Sequence, residues 1–433
     1  MTQITQGAAS GSFTYDNANR RTSLTLPNGV STEYAYDAAS RLTGLTYQLG
    51  PTPLGTLTYA YDANGNRTVL GGSWARTGLP AALASATYNA ANHQLTFGST
   101  TLTYDLNGNL ASDGTNTYTW DARNRLGAIS GGSAASFQYD AQGRRTSKTV
   151  NTAQTGFLYD GMNPVQELTG STVVANLLTG LGIDEYLTRT DTSGASHFLA
   201  DALGSTVALT DSIGAVPTSY TYAPFGATSL SGSATDSAFD YTGREDDGTG
   251  LKYYRARYYH PGLQRFVSED PMEFDGGGVN LYVYVANNPI MLIDPLGLKV
   301  NWGRYKVGSP ELRRRLELFS DQIRHDIDVT GGDRTEEENE KAGGAKDSRH
   351  LIGGAVDFHV QGLSDCRGAA LAAESGLFNG IGYYPPNSSD PHIHVDLRSE
   401  GGSPRWRLER DTSGKWVFRG WHSPTRPLGG RKC

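Results

Sequence analysis

The chain has 433 residues, is rich in glycine (54) and tyrosine (24, against 13 phenylalanines), and carries a formal net charge of −7. This length allows two or three domains, and the composition favours β structure with many turns. No run of about 18 apolar residues occurs, which excludes a membrane-spanning helix. The two cysteines, Cys366 and Cys433, are too few for a disulfide framework. We expect free thiols, with a disulfide as the lesser alternative.

Charge and histidine divide the chain unevenly. Residues 299–433 hold 21 Lys+Arg and 19 Asp+Glu (+2), which leaves 16 and 25 (−9) for residues 1–298. A charge of +2 spread among acids argues against nucleic acid as a partner. Six of the nine histidines follow residue 320, which predicts that the chemistry lies there. The N-terminus lacks the basic and apolar regions of a signal peptide, so we expect a protein that stays in its cell or leaves by a specialised route.

The first 160 residues are repetitive. Segments such as YDNANRRTSL and YDAASRLTGL recur every 16 to 27 residues. Each combines an alternating Thr/Tyr stretch, an Asp-rich turn and a second alternating stretch, which predicts a strand–turn–strand unit that stacks on its neighbours. The copies begin at Tyr15, Tyr36, Tyr61, Tyr104, Trp120 and Tyr139, with a degenerate copy at Tyr88 and a bare YD at Tyr159.

These repeats resemble the YD repeats of the Rhs family of bacterial proteins and related toxin-complex subunits. The downstream segments YAPFGATS, FDYTGREDDGTGLKYYRARYYHPGLQRFVSEDP and GVNLYVYVANNPIMLIDPLGL resemble that family's core region. The resemblance covers residues 1–298 and implies an all-β shell that encloses a C-terminal payload. The repeat region is short for a closed shell, which leaves open whether the chain is a fragment of a longer protein.

Segment 265–298 contains two Asp-Pro pairs, at Asp270 and Asp294. The Rhs resemblance implies a self-cleaving aspartyl site that cuts after Leu298. Two carboxylates that share a proton can activate water toward a peptide bond. Asp-Pro is also a common turn former, and the sequence does not show that the two aspartates lie close together. Arg265 is a weaker candidate for a residue that holds them.

After Leu298 the repeats stop, and residues 299–433 are predicted to form a small α+β domain. Ser309 is the expected N-cap of a helix with an apolar face. A capping box from Thr335 to Glu338 predicts a second helix, and residues 364–376 a third. The strand-like pieces are AVDFHV, PHIHVDLR and the hairpin WRLERDTSGKWVFRGW.

Alternation along two of these strands places polar side chains on one face of each. The two polar sets are Asp357 with His359, and His392 with His394 and Asp396. If the strands are neighbours, Asp357 and His394 point into one cleft, which His350 would reach from the preceding loop. Two histidines and one aspartate are a usual catalytic zinc set with a fourth position for water. The alternative is simple packing, in which Gly353-Gly354 turns the chain into a buried strand.

TGGDRTEEENEKAGGAKDSRHLIGGAVDFHV resembles the S-x-H-x-x-G-x-A-x-D signature of zinc D-Ala-D-Ala carboxypeptidases and their endopeptidase relatives. The resemblance covers nearly all of residues 305–410 and implies one zinc ion bound by His350, Asp357 and His394. It also implies a peptidoglycan stem peptide or cross-link as substrate. Arg334 matches the arginine that holds the scissile carbonyl oxygen or the substrate carboxylate, and its alternative is a salt bridge to the acidic run that follows it.

The resemblance leaves the general base open between His392, our first choice, and Asp396, which could instead bond a ligating histidine. Ser348 either orients the site through a hydrogen bond or caps a turn. Tyr383 and Tyr384 either line the substrate cleft or pack in the core. Three further histidines are expected outside the site: His325, His359 and His422.

Together the two resemblances imply an Rhs-type antibacterial effector. Its shell would deliver a zinc peptidase to the target-cell periplasm through a specialised secretion machine, such as a type VI spike, and a cognate immunity protein would neutralise it. Two alternatives remain at this point: a non-catalytic wall-binding or structural shell protein, and a housekeeping wall-remodelling peptidase.

Overall fold

The structure is a computed structural model. It describes residues 2–18, 20–63, 65–80, 82, 85–180, 182–271, 280–295, 297, 307–323, 327–341, 346, 348–360, 363–386, 388, 391–398, 405–410 and 416–420. The chain divides into two compact units, one of residues 1–273 and 278–298, the other of residues 274–277 and 299–433. The predicted fold class, an all-β repeat region followed by a small α+β domain, is confirmed.

Within its described residues the first unit forms four antiparallel sheets, each with its strands in sequence order. The first sheet contains β1 (Gln3–Gln6), β2 (Ala9–Tyr15), β3 (Arg21–Thr25), β4 (Val30–Tyr36), β5 (Leu42–Leu49), β6 (Thr52–Tyr61) and β7 (Arg67–Gly71). The second contains β8 (Ala86–Tyr88), β9 (Gln94–Phe97) and β10 (Thr100–Thr101). Paired strands are therefore consecutive in the chain.

The third sheet is the longest, with fourteen strands in the described part of the chain. They are β11 (Thr103–Tyr104), β12 (Leu110–Ser112), β13 (Asn116–Trp120), β14 (Leu126–Gly131), β15 (Ala135–Tyr139), β16 (Arg145–Val150), β17 (Ala153–Asp160), β18 (Asn163–Thr169), β19 (Thr172–Thr179), β20 (Tyr186–Asp191), β21 (Gly194–Ala200), β22 (Thr206–Thr210), β23 (Thr218–Tyr222) and β24 (Thr228–Gly232). The fourth contains β25 (Glu245–Asp246), β26 (Lys252–Tyr254), β27 (Arg257–His260) and β28 (Arg265–Phe266).

The YD repeat is a turn whose aspartate binds the chain that follows it. Asp37 Oδ1 accepts hydrogen bonds from the backbone N–H groups of Ala39 and Arg41 (both 2.9 Å), and its Oδ2 accepts from Arg41 Nε at 2.6 Å. The Arg41 guanidinium lies 5.0 Å from the ring centre of Tyr61 in the next repeat, whose hydroxyl donates to the Leu42 carbonyl at 2.7 Å. Each repeat is thus tied to the next. The same bonds recur at Asp16, Asp121 and Asp140.

The second unit contains three described helices and a six-stranded sheet in the order β29-β30-β32-β31-β33-β34. All pairs are antiparallel except β31 with β33. The strands are β29 (Ile327–Gly331), β30 (Ala355–Val360), β31 (Gly380–Tyr384), β32 (His392–Asp396), β33 (Arg405–Arg410) and β34 (Trp416–Gly420). The helices are α1 (Pro310–Ile323), α2 (Glu336–Lys341) and α3 (Asp365–Ser375).

The helix boundaries follow the capping residues. Ser309 Oγ accepts from Leu312 N at 3.1 Å before α1. Thr335 and Glu338 exchange the two bonds of a capping box at 2.8 and 3.2 Å before α2. Helix α3 starts after Ser364 and stops at Gly376, which adopts a left-handed φ of 69°. One face of the sheet and the two longer helices form the core, whose members include Leu312, Leu316, Phe319, Val356, Phe358, Ala369, Ala372, Ile381, Ile393 and Val395.

The structure bears on two predictions, one about membrane-spanning helices and one about the cysteine thiols. No helix among the described residues is long and apolar enough to cross a membrane. Cys366 is disulfide-bonded, so the expectation of a free thiol is wrong for this residue; Cys433 lies outside the described residues. Disulfide pairing depends on the Cα–Cα distance, which the spacing of cysteines in a sequence does not give.

Candidate metal centre and aspartyl site

The candidate metal centre lies on the polar face of β30 and β32. The two strands are neighbours, and Asp357 is directly opposite His394 in their register. Val356 and Phe358 on one strand and Ile393 on the other point to the opposite face, into the core. The pleat therefore directs alternate side chains to core and site, because successive residues of a strand face opposite sides.

Three side chains converge there. His350 comes from the short helical turn Arg349–Ile352 before β30, and its Nε2 lies 3.1 Å from Asp357 Oδ1. His394 Nδ1 lies 2.8 Å from the same oxygen and 3.2 Å from His350 Nε2. All three residues are buried, and one potential ligand atom from each lies within 4.8 Å of the others.

The outward-facing ring nitrogens indicate which atoms are available to a metal. His350 Nδ1 lies 2.7 Å from the Gly332 carbonyl oxygen, to which it can only donate. His394 Nε2 lies 3.4 Å from Asp396 Oδ2. Protons on these two nitrogens leave His350 Nε2 and His394 Nδ1 as lone-pair donors beside Asp357. This N, N, O set fits zinc, which prefers histidine nitrogen and carboxylate oxygen.

The charges of the cluster also suit a cation. Burial raises the pKa of Asp357, but hydrogen bonds from His350 and His394 outweigh it and hold that pKa well below its usual range. Burial lowers the pKa of His394, and its bonds with Asp357 and Asp396 more than compensate, which raises the pKa to about 9. The surroundings of His394 Nδ1 therefore favour positive charge at the centre of the cluster.

Arg334, predicted to hold the substrate, contacts the candidate metal ligand Asp357. The sequence had offered the acidic run at residues 336–340 only as an alternative partner. Arg334 Nη2 donates to Asp357 Oδ2 at 2.5 Å, and its side chain is 20% exposed. Gly331 makes room for this pair: a Cβ there would lie 2.7 Å from Asp357 Oδ2 and 3.0 Å from Arg334 Nη2. A larger residue at position 331 would push the carboxylate away from its place.

The two candidates for the general base differ in their surroundings. Asp396 is fully buried, and both its oxygens accept from Arg398 Nε at 2.8 and 2.9 Å. His392 Nε2 lies 3.6 Å from Asp357 Oδ1, and its ring stacks on Tyr384 at a centre-to-centre distance of 4.1 Å. Sequence reasoning missed Arg398, although alternation places it on the same face as Asp396.

The remaining predicted residues have separate positions. Ser348 precedes the turn that carries His350, and within the described part of the chain its hydroxyl makes no capping bond to that turn. Tyr383 is half-buried against the core. His359 bonds Asp365 at 2.8 Å and does not belong to the three-residue group, as expected for a strand histidine. His325 and His422 lie outside the described residues.

The first unit contains a second charged site, in which both predicted aspartates contact one arginine. Arg257 Nη2 lies 3.0 Å from Asp270 Oδ2 and 3.5 Å from Asp294 Oδ2, and all three side chains are buried. Arg257 Nε donates to the Gly297 carbonyl at 2.5 Å, while Gly297 N donates to Asp294 Oδ1 at 2.7 Å. Asp294 thus lies beside the backbone that precedes Leu298, and Arg257 connects Asp270 to the same backbone. Leu298 itself lies outside the described residues.

Arg257, which begins β27, is the residue that the sequence reasoning missed. The weaker candidate, Arg265, instead donates to the Asn92 carbonyl at 2.6 Å and lies over the Tyr282 ring. Arg257 packs against Phe266, with its guanidinium carbon 3.7 Å from the ring centre. A signal was available in YYRARYY, because an arginine between buried aromatic residues needs acidic partners.

Both parts of the chain match known families. Residues 2–290 match the family model described as Teneurin YD-shell, and residues 295–396 match the one described as Peptidase M15. The second match includes the three side chains of the candidate metal centre. Both resemblances drawn from the sequence are confirmed.

Two curated relatives and one solved structure show the range of similarity. The tRNA3(Ser)-specific nuclease WapA of Bacillus spizizenii is 34% identical over 258 residues, which are 56% of this chain and 11% of that protein. The toxin subunit YenC1 of Yersinia entomophaga is 41% identical over 101 residues, 22% of this chain and 10% of that protein. The TcdB2-TccC3-Cdc42 crystal structure matches with a TM-score of 0.51 and 21% identity over 67% of this chain and 20% of that one, which shows the fold alone. The matched part of this chain therefore spans about a tenth of the length of these curated relatives.

Proposed function

Because this chain belongs to the Teneurin YD-shell family and carries a peptidase M15 domain, we propose that it is an Rhs-type toxin with a peptidoglycan-cutting payload. The payload would be a zinc-dependent peptidase, residues 299–433, that hydrolyses stem peptides or cross-links of the cell wall. The observation that carries this proposal is the convergence of His350, Asp357 and His394 on one buried point. No cysteine belongs to this group, which argues for a catalytic rather than a closed structural zinc site.

Zinc held by these three side chains would supply Lewis acidity for hydrolysis of a peptide bond. His392, on the same strand face as His394, takes a proton from the attacking water and passes it to the leaving amine. Its stacking on Tyr384 fixes the plane of the ring. Asp396 is fully buried and paired with Arg398, which suits it to hold the His394 ring rather than to move protons.

Arg334 is the candidate for stabilising negative charge on the substrate. One N–H group of its guanidinium binds Asp357, which leaves further donors of the five for a carbonyl oxygen. Ser348 and Tyr384 are the remaining candidates for contacts with the substrate. Ser348 lies at the start of the turn that carries His350, and Tyr384 is opposite His392 in β31.

The aspartyl site would release the payload by cutting between Leu298 and Lys299. One carboxylate of Asp270 and Asp294 removes a proton from water, the hydroxyl adds to the Leu298 carbonyl, and a proton passes to the departing Lys299 amine. Arg257 would keep the pair together and hold the adjoining Gly297 carbonyl. The domain boundary would then coincide with the cleavage point, with residues 265–298 as the cleaving segment.

The biological setting follows from the same proposal. A toxin of this kind would leave its cell through a specialised secretion machine, with a type VI spike as one candidate. It would act in the target-cell periplasm, where its substrate lies. A producing cell would then need an immunity protein that blocks the payload. Relatives described as toxin subunits support this setting.

The peptidase is tested by mass spectrometry of muropeptides incubated with the full chain, with and without a chelator. We expect loss of a defined residue or cross-link, abolished by the chelator and by His350→Ala. The matched control is His359→Ala, a histidine of the same strand β30 that lies outside the three-residue group. Unchanged muropeptides from a folded, zinc-loaded protein would refute the peptidoglycan substrate, and failure to bind zinc would refute the metallopeptidase.

A further inference from the structure

Arg255 lies two residues before Arg257, in the two-residue turn that joins β26 to β27. Tyr254 pairs with Arg257 across this turn. Arg255 has a φ of 56°, a left-handed conformation that costs a side-chain-bearing residue free energy. An asparagine or glycine would adopt this conformation more easily. The turn itself therefore does not favour arginine, and the contacts of the guanidinium indicate its role.

The guanidinium of Arg255 connects three separate parts of the first unit. Its Nη1 donates to the Pro295 carbonyl and lies 3.0 Å from Asp184 Oδ2. Its Nη2 donates to Asp184 Oδ1 at 2.6 Å and to the Met162 carbonyl at 3.1 Å. The side chain is 9% exposed. Asp184 is thus a fixed anchor that holds the arginine against the segment leading to Gly297.

Arg255 in the turn and Arg257 directly after it bind alternate carbonyls of one segment. Arg255 binds the carbonyl of Pro295, and Arg257 binds that of Gly297. Gly297 itself lies against the turn: its φ is 71°, and a Cβ there would lie 2.6 Å from the Tyr254 carbonyl oxygen. The segment is therefore held at two points, two residues apart, just before the bond proposed to be cut.

We propose that Arg255 is a positioning residue for self-cleavage, which sets the register of the Asp294–Gly297 backbone against the two aspartates. This inference rests on the proposed self-cleavage and assigns to it a residue whose described contacts do not include Asp270. Water adds across the Leu298–Lys299 bond as before, giving a Leu298 carboxylate and a Lys299 amine. Arg255 takes no part in proton transfer, and it restricts the motion of the substrate segment.

The chain offers a matched control for this role. Arg244 also binds Asp184, through Nη1 to Oδ1 at 2.5 Å, and its side chain is 3% exposed. Its other bonds go to the Tyr253 carbonyl at 3.0 and 2.5 Å. Loss of Arg244 therefore tests the effect of disturbing Asp184 without removing the bond to Pro295.

The experiment compares Arg255→Lys, Arg244→Lys and Asp270→Asn in the full chain made by cell-free synthesis. Pulse-labelled protein is chased, the uncleaved fraction is followed on gels over a range of pH, and mass spectrometry identifies the product that begins at Lys299. Hydrogen exchange of β26–β28 reports whether each variant folds. Lysine keeps the charge but has no planar fork that can bind Asp184 and a carbonyl together.

We expect Arg255→Lys to slow cleavage about 10- to 100-fold by the same factor at every pH, because positioning is lost and the aspartates keep Arg257. Arg244→Lys should cleave near the wild-type rate. Wild-type speed in folded Arg255→Lys, equal slowing in Arg244→Lys, or a displaced pH profile in Arg255→Lys would each overturn the positioning role. A wild-type chain that stays uncleaved like Asp270→Asn would instead overturn self-cleavage, and the inference with it.

Discussion

Two buried histidines, one in each unit, have opposite electrostatic properties. His197 in β21 is 2% exposed, and its Nδ1 lies 2.9 Å from the Thr188 hydroxyl. Burial lowers its pKa to about 4. His394 is 8% exposed, yet its bonds with Asp357 and Asp396 overcome burial and raise its pKa to about 9. The difference comes from the partners, because burial alone favours the neutral ring.

Two buried arginines of the first unit provide a second comparison, between charge clusters with similar partners. Arg145 binds Glu245 and Asp247, as Arg257 binds Asp270 and Asp294. Both are acid–arginine–acid clusters in the first unit. Only Arg257 also holds, among its described contacts, the Gly297 backbone beside a bond proposed to be cut. A buried charge cluster therefore indicates a site only when a potential substrate or ligand position adjoins it.

The largest expected effect separates the two sites. Asp270→Asn should lower the rate of self-cleavage by about 1,000-fold or more while muropeptide hydrolysis continues, because it removes one of two catalytic carboxylates. His350→Ala should do the reverse. Gel analysis and muropeptide mass spectrometry on the same preparations give both readouts. Asp247→Asn, which removes a carboxylate from the Arg145 cluster, should still cleave; if it fails to cleave while folded, the distinction between the two clusters is wrong.

A glycine next to the candidate metal centre provides the second test. Gly331→Ala should weaken zinc binding by about 10- to 100-fold, because its Cβ would meet Asp357 Oδ2 at 2.7 Å. Competition with a chromophoric chelator measures the affinity. Gly354→Ala is the control, since its nearest neighbour would lie at 3.7 Å, an ordinary contact. Equal zinc affinity in both variants would show that Asp357 does not bind the metal.

A third prediction concerns Arg398, which binds Asp396, the residue beside the His394 ring. Arg398→Gln removes the cation that binds both Asp396 oxygens, so we expect zinc affinity to fall about tenfold as the His394 ring loses its support. The same chelator competition applies. Lys341→Gln, which alters only an exposed pair with Glu337, is the control. An unchanged affinity in Arg398→Gln would mean that Asp396 does not orient His394.

The smallest effect concerns the histidine of the shell. The folded state lowers the pKa of His197 from 6.5 to about 4, so the unfolded chain binds the proton more readily. The contribution of neutral His197 to the free energy of unfolding is therefore present above pH 6.5 and is lost as the pH falls toward 4. Between pH 6.5 and 5.5 we expect a loss of roughly 1 kcal/mol.

Hydrogen exchange of peptides from β20–β22, corrected for intrinsic rates, measures this loss of free energy. His197→Gln cannot be protonated and should remove it, while an amide can still bond the Thr188 hydroxyl. Parallel acid sensitivity in the variant and the wild type would show that another group is responsible.

Local patterns were enough to predict much of the second unit. Ser309, Thr335 and Ser364 precede helices as their side chains predict, because capping depends on residues within one turn. Alternation likewise placed Asp357 and His394 on the polar faces of β30 and β32. Alternation could not separate His392 from Asp396, because both lie on the polar face of β32. Their surroundings differ in the buried contact between Asp396 and Arg398.

Residues near one another in the chain were enough to predict the repeats, their turns and the strand faces. Similarity along each part of the chain was enough to predict the YD-repeat family and the peptidase domain. Three contacts could be seen only in the folded chain: Arg257 rather than Arg265 joins Asp270 to Asp294, Arg334 binds Asp357, and Cys366 forms a disulfide. The reason is physical: hydrogen bonds and ion pairs act over about 3 to 4 Å, and residues that are distant in the chain reach that range only after the sheets have formed.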